Sequence, residues 1–297
     1  MSSITVWCAP LTGAPRAATM ALATRHGRMK QISMAIALLL YGVSNAEAAL
    51  VNVYLSNTRV TGQREETRLP GLERCFIDQM VKAAGDPRLA EDPEVIAMSK
   101  DSNFAIREYA YVDLYAGRPI MDEQGTRDRP YEMTVYYRPD KIDGALARVG
   151  SKHWGKDRPK VMVVLKVQHI ARNYILTSHG EIGDLMRESL DLASYKYGVP
   201  IALVPSPLLD EAGLSFEELT ETKLAELDGL ATRAEADLAL FGTLKWEPNV
   251  LGWIADWHMN SNGAKHHWHI EGVNFDAAFR NALAGTAQIL SGNGSPK

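Results

Sequence analysis

Residues 160–167, Lys160-Val-Met-Val-Val-Leu-Lys-Val167, form a nearly continuous apolar run rich in β-branched side chains. A strand with one solvated face alternates apolar and polar residues, whereas a strand covered on both faces is apolar throughout. The run therefore predicts a central strand with helices on both sides. Beyond it, Glu181–Tyr197 has helical spacing with Gly198 as its stop. Val199–Val204 is a second strand, ended by Pro205 and Pro207. Ser215-Phe-Glu-Glu218 is a capping box that opens a helix running in pieces to Ala234. Asp237–Trp246 is a third strand, two more follow around Asn262-Gly263, and Asn274 starts a last helix ending near Gly292. The order β-α-β-α-β-β-β-α over residues 158–292 predicts an α/β sandwich on a mixed sheet.

Residues 49–150 predict a second, smaller α/β unit, with Ser151–Pro159 as the boundary between the two. Val51–Val60 alternates like a strand. Pro70 opens a helix to about Ala84, with Gly85 beyond it, and Asp92-Pro93-Glu94 starts another. Asn103–Tyr115 is ambiguous between helix and strand, and Gly117–Pro130 is a polar loop. Tyr131–Arg138 reads as a strand and Asp140–Val149 as a helix closed by Gly150. Cys75 falls on the apolar stripe of the first helix with Leu72, Phe76, Gln79 and Met80, the setting of a buried structural thiol.

Upstream, Met29–Ala48 (MKQISMAIALLLYGVSNAEA) has a basic start at Lys30, an apolar stretch from Ile32 to Val43 and the small-residue ending Ala46-Glu47-Ala48. That is the layout of a cleavable secretory signal cut after Ala48. The stretch is too short for a membrane span, which needs roughly 20 apolar residues. Residues 1–28 are basic and free of acids, so Met20 and Met29 are alternative starts, and a transit peptide is the competing reading. The expected location is periplasmic or secreted.

Without residues 1–48 the chain carries 28 basic and 35 acidic residues, a formal charge of 28 − 35 = −7. An acidic surface is the wrong footprint for nonspecific nucleic-acid binding. Cys8 lies in the leader, which leaves Cys75 alone and excludes an intramolecular disulfide. No later apolar run is long enough to span a bilayer.

Four stretches carry a resemblance. They are Arg158-Pro159 before the central strand, Gly198–Pro205 before Leu208-Leu209-Asp210, Ala236–Leu244, and Trp253, Trp257 and Trp268 running into Gly272–Ala278. Together they resemble a bacterial envelope family known as domain of unknown function 2066. The departure is Glu211-Ala-Gly213, where that family continues Leu-Glu-Asp after the aspartate. The resemblance implies an envelope setting and no reaction. More distantly, it is similar to periplasmic α/β modules of outer-membrane assembly, which bind partners without catalysis.

The densest reactive cluster is Leu251–Gly272, LGWIADWHMNSNGAKHHWHIEG. Asn262-Gly263 signals a two-residue hairpin, because a type I′ turn needs positive φ at both positions. That register pairs Met259 with His266, Trp257 with Trp268 and Ala255 with Ile270. Trp253, Trp257 and Trp268 then share the core face, and Asp256, His258, His267, His269 and Glu271 share the other. If a metal such as zinc binds, His258, His267 and either Asp256 or His269 are its ligands. A solvated, His-rich face is the competing reading, and a pH-sensitive one a third. Ligands of open α/β sheets gather past the carboxyl ends of strands. That rule nominates Gly198, Pro200 and Asp210 as a ligand edge. No phosphate loop, dinucleotide fingerprint or Gly-x-Ser-x-Gly occurs, and no catalytic residue is assigned. The sequence thus predicts a noncatalytic binding or assembly factor of the bacterial envelope, with an envelope protein as its partner. A metal- or small-ligand-binding protein is the runner-up, and a hydrolase comes third.

Overall fold

A computed structural model of the protein describes residues 52–117, 121–122, 125–126 and 129–296, so the expected leader and its cut after Ala48 lie outside the described residues. In chain order the elements are β1 (Leu55–Val60), α1 (Glu65–Ala84), α2 (Pro93–Ser99), β2 (Ile106–Asp113), β3 (Met121–Asp122), β4 (Gly125–Thr126), β5 (Tyr131–Tyr137) and α3 (Pro139–Arg148). They continue with β6 (Val161–His169), β7 (Arg172–Leu176), α4 (Asp184–Tyr197), β8 (Ile201–Leu203), α5 (Ser206–Glu211), α6 (Leu224–Ala231), β9 (Leu238–Glu247), β10 (Gly252–Ser261), β11 (Ala264–Val273) and α7 (Phe275–Leu290). The expected mixed α/β class is observed. Among the described residues no helix is long and apolar enough to cross a membrane.

The quoted run becomes β6, the hub of a six-stranded mixed sheet ordered β11-β10-β9-β6-β7, with β8 also pairing β6. β6 runs parallel to β8 and β9 and antiparallel to β7. Its odd residues, Val161, Val163, Leu165 and Val167, pack with Leu190 and Ala193 of α4 and Phe279 and Leu283 of α7. Its even residues Met162 and Val164 pack on the opposite side with Leu208 and Leu209 of α5 and Leu227 of α6. Unbroken apolar side chains from Val161 to Leu165 are what two covers require.

The N-terminal sheet is antiparallel, ordered β1-β5-β2. Met133, Val135 and Tyr137 of β5 turn one face toward Cys75, Phe76 and Met80 of α1 and Ile142 and Leu146 of α3. Cys75 is fully buried, and that burial pushes its thiol up to about 12. It is the inert structural cysteine the stripe predicts.

Several details differ from the sequence reading. α1 begins at Glu65, so Pro70 sits inside the helix rather than opening it. Asn103–Tyr115 resolves as β2 behind a 3₁₀ turn at Ser102–Phe104. The C-terminal series gains a strand, β7, and a short helix, α5. The capping-box bonds at Ser215 and Glu218 form, yet α6 starts only at Leu224.

One side chain ties the two halves. The Arg158 guanidinium, over the Trp154 ring at 4.1 Å, donates to the carbonyls of Lys82, Trp154, Gly155, Tyr197 and Gly198. It thereby caps the C-terminal ends of α1 and α4 together, where a cation suits the helix dipole. Residues 291–293 add a second clasp. Asn293 Nδ2 donates to Ala84 O at 2.9 Å, Ser291 Oγ to Gly85 O at 3.0 Å, and Arg88 Nη2 to Asn293 O at 3.1 Å.

Candidate functional site

The β10–β11 hairpin forms as its sequence predicts. Asn262 and Gly263 take φ of 51° and 77°, and the pairs are Met259–His266, Trp257–Trp268 and Ala255–Ile270. Near the open end the register shifts, so that Trp253 pairs with Val273, and Gly272 takes φ 69° at this bulge. Trp253, Trp257 and Trp268 are buried as expected. Two glycines make room for them. A Cβ on Gly242 would lie 2.2 Å from the Trp257 ring, and one on Gly285 would lie 2.6 Å from Trp268. Trp268 Nε1 donates to Asn281 O at 3.2 Å.

The opposite face brings Asp256, His258, His267 and His269 together. His267 Nε2 and His269 Nδ1 both reach Asp256 Oδ1, at 3.2 and 2.9 Å. His258 stacks on His267 with ring centres 4.5 Å apart. Partial burial would raise the Asp256 carboxyl, but the bonds from His269 and His267 outweigh it and hold the group below the usual carboxylate range. Burial, aided by His267, pushes His258 below the ordinary imidazole value against the pull of Glu221 and Asp256. Two of the ring nitrogens thus bond the same Asp256 oxygen, where a carboxylate rather than a metal ion satisfies them. Among the described residues no group of three or more His, Cys, Asp or Glu is placed to hold a metal ion. What the face does offer is a cavity of about 340 Å³ between the hairpin and the start of α6. Glu221, Leu224, His258, Asn260, Lys265 and His267 line it.

The ligand-edge residues are not brought together. Gly198 and Pro200 precede β8, where Gly198 O accepts from Arg158 and Pro200 O accepts from Val161 N. Asp210 is exposed on α5, past the other end of that strand. They occupy opposite ends of β8 because the strand is extended and parallel to β6.

A further cluster escaped the sequence reading. On α4, Leu185 is 70 % exposed, Leu192 61 % and Tyr195 37 %, with Ile182 just ahead of the helix also exposed. Spacings of seven and three residues put the helical three on one stripe, flanked by exposed Asp184, Glu188 and Asp191. Beneath Tyr195 lies Lys82 of α1, only 1 % exposed. Its Nζ donates to Leu55 O at 2.8 Å and sits 4.0 Å from the Tyr195 ring centre. Burial, with Arg158 as the second cause, pushes this amine down to about 7. A signal existed: Lys82 lies two helical turns beyond Cys75, on the same apolar stripe.

Residues 48–155 match the model of a family described as Domain of unknown function (DUF8605). That is a different family from domain of unknown function 2066, and the resemblance drawn from residues 158–278 is corrected accordingly. Three of the four stretches behind it lead into or form β6, β8 and β9, apolar segments that any sheet covered on both faces requires, so they discriminate poorly between families. No curated protein matches the chain.

Proposed function

We propose that the chain is a noncatalytic binding or assembly factor of the bacterial cell envelope, periplasmic once its leader is removed near Ala48. The leader motif supports the compartment. The α4 stripe carries the binding role, because contiguous exposed apolar groups on one helix mark an interaction surface. Its acidic flanks suit a partner helix with apolar and basic residues in register. Capture of partners from an envelope fraction on the secreted form tests the reading. A stable partner retained by the native protein and lost from the Leu185→Ser/Leu192→Ser variant is the expected outcome. Capture that is indifferent to both substitutions removes the stripe from the account.

The cavity beside His258 and His267 favours a second reading, a site for a small ligand on the hairpin face; a divalent metal there would first have to draw His267 and His269 off Asp256. Calorimetric titration with Zn²⁺ checks the metal form. Stoichiometric heat, lost in His258→Ala/His267→Ala, is its signature, and no heat at micromolar metal dismisses it.

A further inference from the structure

We propose that Lys82 is the nucleophile of a reversible covalent binding site for a small aldehyde or ketone, with the Tyr195 ring as its cover. Lys82 stands in the wall of a cavity of about 210 Å³, formed by Ser56, Asn57 and Thr58 of β1, Asp78 of α1, and Leu192, Tyr195 and Lys196 of α4. The one carboxylate in that wall, Asp78, is taken by Lys196 at 2.6 Å. Burial and Arg158 disfavour a cation at Lys82 more than Asp78 favours one, and Lys196 adds to the repulsion. Desolvation beside other cations is how a lysine is made nucleophilic at neutral pH. Tyr195 lies over the amine and is itself partly exposed, so rotation of one surface side chain uncovers the nitrogen.

The step balances without a further reactant. The neutral amine's lone pair attacks the carbonyl carbon, a C–N bond forms, and the C=O π pair moves to oxygen, which takes up a proton. The carbinolamine then expels that oxygen as water with one proton drawn from solvent, and the nitrogen lone pair closes a protonated C=N bond that keeps the remaining N–H. Hydrolysis reverses it. The protonated imine keeps one N–H, which can retain the bond that Lys82 now makes to Leu55 O. The cavity's size restricts the ligand to a carbonyl compound of a few carbon atoms. This site does not depend on the partner reading above, although Leu192 and Tyr195 belong to both surfaces.

Full-length folded protein, treated at pH 7 with limiting propionaldehyde and sodium cyanoborohydride and mapped by peptide mass spectrometry, tests the assignment. Lys82 is expected to be alkylated at least about tenfold faster than any exposed lysine, since those stay almost fully protonated at this pH. Its rate should reach half-maximum near pH 7, the value to which burial lowers it. Tyr195→Ala should accelerate the reaction, and Lys82→Arg should abolish the early adduct. The ranking within the native protein needs no variant, so a substitution that impairs folding does not decide the outcome. Lys82 left unmodified until the protein is denatured, or modified no faster than exposed lysines, overturns the assignment. So does a Tyr195→Ala variant, folded by circular dichroism, that reacts no faster.

Discussion

At position 242 the missing methyl group matters more than most side chains present. Gly242 of β9 pairs with Trp257 of β10, and its bare backbone is the floor on which that indole lies. Gly242→Ala should cost about 2 kcal/mol, the scale of overpacking a close-packed core, read as a lower denaturant midpoint at unchanged slope. Lys82 gives the second prediction at this scale. Unfolded, it titrates near 10.5; folded, near 7. Below pH 7 both states are protonated and the full cost of the buried charge is present. Above pH 7 the unfolded chain binds the extra proton, so stability rises with pH, by at most about 1.4 kcal/mol per unit. Cys75 works in the opposite sense above its ordinary 9.0, because the unfolded thiol ionises while the folded one holds its proton. The rise is therefore confined to pH 7–9, and it should vanish in Lys82→Met when urea unfolding is followed at each pH. Parallel profiles for the two proteins would show that the amine stays charged.

At the scale of elements, two hairpins of the larger sheet, β10–β11 and β6–β7, are opposites. The β10–β11 turn was legible because Asn262-Gly263 names its own backbone conformation and the tryptophans fix the register. The β6–β7 turn is Ile170-Ala171, which carries no turn chemistry, so β7 went unread. Ile170 pays with φ 53°, unfavourable for a β-branched residue. Ile170→Asn should raise stability by about 1 kcal/mol, visible as a higher Tm, because the side chain is exposed and asparagine tolerates that conformation. α1 misled for a different reason. Pro70 looks like a first-turn residue, but Glu65 and Glu66 precede it at a position where acids favour the helix dipole. The His face was legible as a face and not as a site. Alternation decides which side a ring takes, whereas only the fold decides that Asp256 claims two of the nitrogens. The cavity against α6 and the burial of Lys82 arise from segments far apart in sequence, so no local pattern announces them.

At the scale of the whole molecule, Arg158 is the residue on which both halves converge. Five carbonyls depend on one guanidinium, and removing it leaves buried acceptors unpaired at the ends of two helices. Arg158→Met should cost about 3 kcal/mol or more, and lysine should rescue little because a single ammonium cannot reproduce the planar fork. Equilibrium unfolding monitored separately through the tryptophans, all in the C-terminal half of the described chain apart from Trp154, and through far-UV dichroism checks it. The native protein should give coincident transitions, and the variant a lower midpoint.

Ser291 and Asn293 reach back to Gly85 and Ala84, more than two hundred residues earlier. A polypeptide that emerges N-terminus first, from a ribosome or a translocation pore, cannot fasten this clasp until residue 293 is out. Closure of the clasp therefore waits on residues 291–293, and a copy truncated ahead of them keeps both helices, α1 and α7, but lacks the bonds that fasten them.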